Sequence, residues 1–282
     1  MGKFDGILLA TDYDDTFYAT DFSISRENRE AAAYFMSEGG YFTISTGRSL
    51  VNFSVQMRRE ALQVNAPVIL SNGAQIYDYQ TERLLYEGLL RAEVTRDMAQ
   101  VCRRFPRLGF EAYQGECIYL HNPNEVTRRH LERAGTTGIE LPILEMPVRW
   151  IKAMLQHTDR EMLGEIQAYV TEQFGDYYEA IFSNPVLLEL TDKGSHKGTA
   201  VLRLAEYLGV SQKGIICVGN GQNDLPMLEV ASIAYAPENC APALREFGVR
   251  MLPSCDDSCV ARLIEGLAEA LSGKQEEEKT PN

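Results

Sequence analysis

Short apolar runs alternating with stretches of helical periodicity occupy both ends of this chain. Strand, helix and strand in that order close as parallel βαβ units, with helices covering both faces of one sheet. At the N-terminal end GILLAT (6–11) reads as a strand and residues 25–38 as a helix, with Ser25 as N-cap and Gly39-Gly40 as the stop. YFTIST follows as a second strand ending at Gly47-Arg48, then a helix over 49–62 and a third strand, PVILSN. The same alternation returns with a helix over 197–208, the strand IICVG, a helix over 224–230, SIAYA, a helix over 240–247 and VRML.

The middle differs. It reads as strand LLYEGLL, helix 94–105, strands LGFEAYQG and ECIYLHN, helix 124–134, strand WIKAMLQH, helix 160–174 and strand YYEAIFS. Several of these strands are joined by hairpin-length turns, which predicts a mixed or antiparallel sheet. The expected architecture is therefore α/β: a doubly wound parallel-sheet core made of residues 1–82 and 188–272, with an α/β module inserted over 83–187. Its hinges are expected near Thr81–Arg83 and Ser183–Val186. The last ten residues, GKQEEEKTPN (273–282), carry no core-forming side chain and are expected to form a disordered acidic tail.

Composition narrows the functional classes. Forty acidic against 27 basic residues give a net charge of −13, which opposes loose binding to nucleic acid or to an anionic membrane. A phosphorylated ligand then requires a local cation. No apolar run reaches the 18 or so residues of a spanning helix, and acids interrupt the N-terminus too early for a signal peptide, so a cytoplasmic protein is expected. The six cysteines include no CxxC pair; Cys255 and Cys259 lie four apart without a histidine nearby, and reduced, buried thiols are expected rather than a zinc site.

Four elements carry chemistry. Asp12-Tyr13-Asp14-Asp15-Thr16 follows the first strand directly, so its carboxylates crowd the strand end where open α/β sheets bind ligands. Such a cluster needs a proton or a cation, and oxygen-only donors suit Mg²⁺. Thr46-Gly47-Arg48 offers a hydroxyl and backbone N–H groups beside a helix start, an anion site. Lys197 opens a helix, where the dipole disfavours a cation unless an anion compensates. Gly219-Asn220-Gly221-Gln222-Asn223-Asp224 follows IICV, a tight loop aiming oxygens at the same crevice. Its GxG lacks the third glycine of a dinucleotide fingerprint.

In this order the four elements resemble the motifs of the haloacid dehalogenase superfamily, most closely its Cof-type phosphatases, subclass IIB. DxDGT is matched by Asp12–Thr16, the hydroxyl before GR by Thr46, KG by Lys197-Gly198 and GDGxND by Gly219–Asp224, while Ser71-Asn72-Gly73-Ala74 is similar to the family's NGA stretch. The insertion stands where a C2-type cap belongs. The resemblance implies a Rossmann-like core and Mg²⁺-dependent hydrolysis of small phosphate monoesters, sugar phosphates or related metabolites. Asp12 would be the nucleophile and Asp14 the general acid and base. Thr46, Gly47, Lys197 and Asn223 would bind phosphate; Asp12, the Asp14 carbonyl, Asn220 and Asp224 would hold the metal. Two positions depart from the pattern: Asp15 stands for a glycine and is expected to point outward or to stand behind the residues that touch the metal, and Asn220 stands for a metal-binding aspartate. A phosphometabolite-binding protein with decayed catalysis is the alternative; a receiver-type domain would be about half as long. In the cap, Tyr113, His121, Trp150 and Lys152 are open between core, surface and substrate roles.

Overall fold

The computed structural model describes the backbone of residues 2–278 and the side chains through residue 272. The first half forms β1 (Leu8–Thr11), α1 (Arg26–Ser37), β2 (Tyr41–Ile44), α2 (Leu50–Arg59), β3 (Val68–Leu70), β4 (Gln75–Asp78) and β5 (Arg83–Glu87). The inserted region continues with α3 (Val94–Arg104), β6 (Gly109–Gln114), β7 (Cys117–His121), α4 (Glu125–Ala134), β8 (Ile139–Glu140), β9 (Lys152–Gln156), α5 (Arg160–Phe174), β10 (Tyr178–Asn184) and β11 (Leu187–Asp192). The chain closes with α6 (Lys197–Leu208), β12 (Ile215–Val218), α7 (Leu225–Val230), β13 (Ile233–Pro237), α8 (Pro242–Phe247), β14 (Arg250–Leu252) and α9 (Cys259–Glu278).

The core sheet has the order β14-β13-β12-β1-β2, all parallel. Alternate residues of β1 point to opposite faces. Leu9 joins Phe35 of α1, Phe53 of α2 and Val260, Leu263 and Ile264 of α9; Leu8 and Ala10 join Val201 and Leu204 of α6, Met227 of α7 and Leu244 of α8. The doubly wound reading of the two ends therefore matches the structure, with Ser25 capping α1 through the amide of Asn28. The C-terminal helix α9 was not expected. Its apolar repeat Val260, Leu263, Ile264, Leu267 is buried and the helix packs against α1, and its backbone runs on through residues 273–278, where a disordered tail was expected. Residues 279–282 of that expected tail lie outside the described residues.

The insertion is a second sheet of six strands in the order β10-β11-β9-β6-β7-β8, antiparallel except for β7–β8. Its apolar face packs on α3 and α5 around Trp150, Phe110, Leu155, Leu163 and Ile166. The expected boundaries are displaced at both ends. The segment Arg83–Glu87, assigned above to the cap, pairs with β4 in a three-stranded sheet β3-β4-β5, and its Leu85 and Tyr86 pack into the core. One bridge, Ser45–Ile69, ties that sheet to the end of β2. Conversely Leu188–Asp192, assigned to the core, forms β11 inside the cap sheet. The reason is that LLYE and LLELT are locally equivalent apolar strands; only their partners distinguish them. The linkers run side by side at Gly88–Leu90 and Lys193–Ser195, not at the two expected hinges: a Cβ on Gly88 would stand 2.4 Å from Ser195 Oγ. Among the described residues, no helix is long and apolar enough to cross a membrane.

Glycine at the start of α6 fixes how closely that helix approaches α7. A Cβ on Gly198 would lie 2.1 Å from the Pro226 carbonyl oxygen, which is backbone and has little room to yield. Gly198→Ala is therefore expected to lower stability by about 1–3 kcal/mol. Urea unfolding measures it: the midpoint should fall at constant slope, and an unchanged midpoint would show that the helices are not locked at this contact.

Candidate functional site

The carboxyl ends of β1, β2 and β12 open on one crevice. Asp12 leaves β1 with its amide donating to Val218 O at 2.8 Å, so the loop after β1 and the loop after β12 start side by side. Lys197 is the first residue of α6 and its side chain is fully buried. Its ammonium donates to Asp12 Oδ1 at 2.6 Å and to Asp224 Oδ1 at 2.5 Å. The anionic partner that a cation at a helix start demands is thus a pair of carboxylates. Asp224 Oδ2 in turn accepts from the backbone amides of Asn220 (2.9 Å) and Gly221 (2.8 Å), an arrangement that requires glycine at 219, where a Cβ would meet the Asp224 side chain at 2.5 Å.

With all three ionised, charge is not balanced among these groups. Two buried carboxylates face one ammonium. Burial first, then repulsion from Asp224, pushes the Asp12 carboxyl up to about 8, with Lys197 opposing; the same carboxylates hold Lys197 well above its ordinary value against its own desolvation. The donors placed here, the carboxylates of Asp12 and Asp224, are oxygens. A hard divalent cation fits that set. Among the described residues there is no cluster of three or more acidic, histidine or cysteine side chains arranged for a metal. The cause is visible in the sequence positions: Asn220 supplies an amide, and the Asp14 carboxylate turns away to Arg48.

Arg48 grips Asp14 with two hydrogen bonds, Nε to Oδ2 at 2.8 Å and Nη2 to Oδ1 at 2.6 Å, while its guanidinium lies 5.4 Å from the Tyr13 ring centroid. Asp15 is exposed, as expected, and takes φ +57° in the position where the motif has glycine; its carbonyl accepts from Asn239 Nδ2 at 2.8 Å. Thr46 Oγ1 accepts from the Arg48 amide at 3.2 Å, and Thr46 O accepts from Asn72 N at 3.0 Å. Ser71, Asn72 and Gly73 have successive positive φ angles of 51°, 55° and 96°, strain of the kind that is stored at functional sites. Gly73 is required there, since a Cβ would strike His196 O at 2.3 Å. Asn223 Nδ2 donates to Asn72 Oδ1 at 3.0 Å, leaving the buried Asn72 Nδ2 without a partner.

The structure thus brings Asp12, Lys197, Asn220 and Asp224 into one connected cluster and joins Asn223 through Asn72 to Thr46 and Gly47. Asp14 sits beside them but is held by Arg48 rather than by the cluster. The sequence motifs contain Arg48 and Asn72 without giving either a role; the signal for the strained turn that aims Asn72 is the Asn72-Gly73-Ala74 stretch. Of the four cap residues left open, Trp150 is cap core, His121 lies on the cap beside Asn122 and Glu140, Tyr113 packs in a second cap cluster with its hydroxyl donating to Glu111, and Lys152 reaches the core at Gly47.

A family model described as haloacid dehalogenase-like hydrolase matches residues 9–264. The chain is 24% identical over 264 residues to a 5-amino-6-(5-phospho-D-ribitylamino)uracil phosphatase of Bacillus subtilis, covering 91% of this chain and 96% of that protein. A second phosphatase of that name from the same organism is 27% identical over 292 residues, covering 94% and 98%. A solved haloacid dehalogenase-like hydrolase from Bacteroides thetaiotaomicron superposes with TM-score 0.79 at 21% identity, covering 93% of this chain and 99% of that one. A subclass IIB sugar phosphatase superposes with TM-score 0.80 at 19% identity, covering 93% and 99%.

The raised Asp12 carboxyl has a thermodynamic signature. Between about 4 and about 8 the folded chain retains a proton that the unfolded chain, with a carboxyl at 3.8, has released. Unfolding is therefore favoured as pH rises through that window, and stability falls. In metal-free buffer, the stability of the wild type relative to Asp12→Asn should decline from pH 4 to pH 8, and millimolar Mg²⁺ should flatten the decline. Denaturant curves at five pH values measure it; a difference independent of pH would refute the unbalanced cluster.

Proposed function

The chain belongs to the haloacid dehalogenase-like hydrolases, and from that membership we propose that it is a Mg²⁺-dependent phosphatase acting on small phosphate monoesters, sugar phosphates or related metabolites. The observation that carries this reading is the Asp12–Lys197–Asp224 cluster at the strand ends, with Asp14 two residues beyond Asp12. The names of the matched relatives, phosphatases of a ribityl-phosphate compound and of sugar phosphates, agree with it.

In this reading Asp12 attacks phosphorus and the leaving oxygen departs, forming an aspartyl-phosphate that water then cleaves, so one hard displacement becomes two easier ones. Asp14 gives a proton to the leaving alcohol and later takes one from the attacking water. For this Arg48 must free at least one Asp14 oxygen, since it holds both in the resting geometry. Lys197, Thr46, the Gly47 amide and Asn223 hold phosphoryl oxygens, and Asn72 Nδ2, without a partner among the described residues, adds a donor beside them. Asp12, Asp224, Asn220 and the Asp14 carbonyl would hold Mg²⁺, which would supply the charge neutralisation that lets an anion approach an anion. The cap excludes water from the crevice.

A panel of sugar phosphates and an aryl phosphate, with and without Mg²⁺, tests the reading. Metal-dependent phosphate release is expected from the wild type, and Asp12→Asn should remove it while leaving the fold intact. Release from no substrate would favour the phosphometabolite-binding alternative, for which Asn220 is the lesion.

Asn220→Asp restores a carboxylate among the metal donors. It should lower the Mg²⁺ concentration for half-maximal activity by about tenfold or more, about 1.4 kcal/mol, and Mg²⁺ should raise the melting temperature of the variant more than that of the wild type. Equal or weaker metal dependence by both readouts would remove Asn220 from the donor set.

A further inference from the structure

The cap presents a charged pair to the phosphate loop, and nothing in the chemistry above uses it. Along β9 the residues Ala153 and Leu155 face α3 and α5, so Lys152 and Met154 face the opposite way; along β11 Leu188 and Leu190 face the helices and Glu189 does not. Lys152 Nζ donates to Glu189 Oε2 at 2.7 Å and, across the gap between cap and core, to Gly47 O at 2.8 Å. It also lies 4.7 Å from the Tyr113 ring centroid. Both side chains are at least 95% buried. Desolvating an ion pair offsets most of its attraction, and a well-packed apolar pair of similar volume is often as stable. Stability alone therefore does not account for the pair.

Its surroundings point to a ligand. A Cβ on Gly47 would lie 3.3 Å from Glu189 Oε1 and 3.3 Å from Asn72 Nδ2, the buried amide that has no partner among the described residues. Carboxylate acceptor, ammonium and amide donors and a tyrosine face thus converge on the loop that ends β2. We propose that Lys152 and Glu189 form the leaving-group subsite and that their mutual neutralisation selects an uncharged, hydroxyl-bearing leaving group over one carrying a second anion. The proposal rests on the phosphatase reading. A polyol offers hydroxyls that donate to Glu189 and accept from Lys152; a second phosphate or carboxylate would meet the Glu189 carboxylate in a site of low dielectric, where like charges repel strongly.

The test compares kcat/KM for a sugar monophosphate, an aryl phosphate and a sugar bisphosphate. Lys152→Met should lower the sugar-to-aryl ratio by about tenfold or more, since a lost hydrogen bond to a charged group is of that order. Glu189→Gln, which leaves the ammonium unbalanced, should raise the bisphosphate-to-monophosphate ratio by a similar factor of about ten. The double variant Lys152→Met, Glu189→Gln removes both charges together and serves if either single variant fails to fold. It should show the lowered sugar-to-aryl ratio without the gain on the bisphosphate. Parallel losses on all substrates, or ratios like those of the wild type, would overturn the subsite. A wild-type chain inactive on every substrate would overturn the phosphatase reading and the subsite with it.

Discussion

The buried ammonium of Lys197 between the carboxylates of Asp12 and Asp224 is the contact on which the arrangement of the core depends. It joins residues 185 and 27 positions apart, from the end of β1, the start of α6 and the loop after β12. A buried charge without its partner is costly, by about 3–5 kcal/mol when one member of a pair is removed. The three elements are therefore constrained to meet, and close approach is what lets them: Gly198 admits α7 against α6, Gly73 admits the turn after β3 against His196, and Gly219 admits Asp224 beneath its own loop. The same contact sets two carboxylates against one ammonium, and the Asp12 carboxyl, pushed up to about 8, holds a proton at neutral pH that keeps the three groups in balance.

A second constraint comes from the way the cap is threaded. Its linkers leave and re-enter the core next to each other at Gly88 and Ser195, and Ser195 immediately precedes the helix that starts with Lys197. One face of the cap sheet is apolar and committed to α3 and α5. On the other, α4 covers part, with Thr127 and His130 bonded into a buried network around Glu111 and Gln156, and the remainder carries Lys152 and Glu189 down to Gly47. The polarity of a strand's alternate residues thus decides which cap side chains reach the core.

Most of the fold was legible in the sequence. Period-two and period-3.6 patterns identified most strands and helices, though not β4, β8, β11 or α9, and Asp12, Lys197 and Asp224 stood out because each violates a local preference: acids crowded at a strand end, a cation at a helix start, an acid in a glycine loop. The two cap boundaries were misread for one reason. LLYE and LLELT have the same local character, so the sequence assigned each by its position along the chain, whereas pairing with β4 and with β9 placed them on the other side of each expected boundary. With β11 unassigned, Glu189 had no face and could not be connected to Lys152.

Sequence by itself determined the order of elements, the doubly wound core and the strand ends at which the acids gather, because these follow from periodicity and from residue types whose preferences act over a few positions. Tertiary structure alone decided which carboxylate faces which cation. Asp14 is two residues from Asp12, yet its carboxylate goes to Arg48 while that of Asp12 goes to Lys197. Lys152, indistinguishable in sequence from a surface lysine, is buried against Gly47 105 residues away. Charge pairing acts through space and depends on burial and angle, and neither quantity exists until the chain has closed.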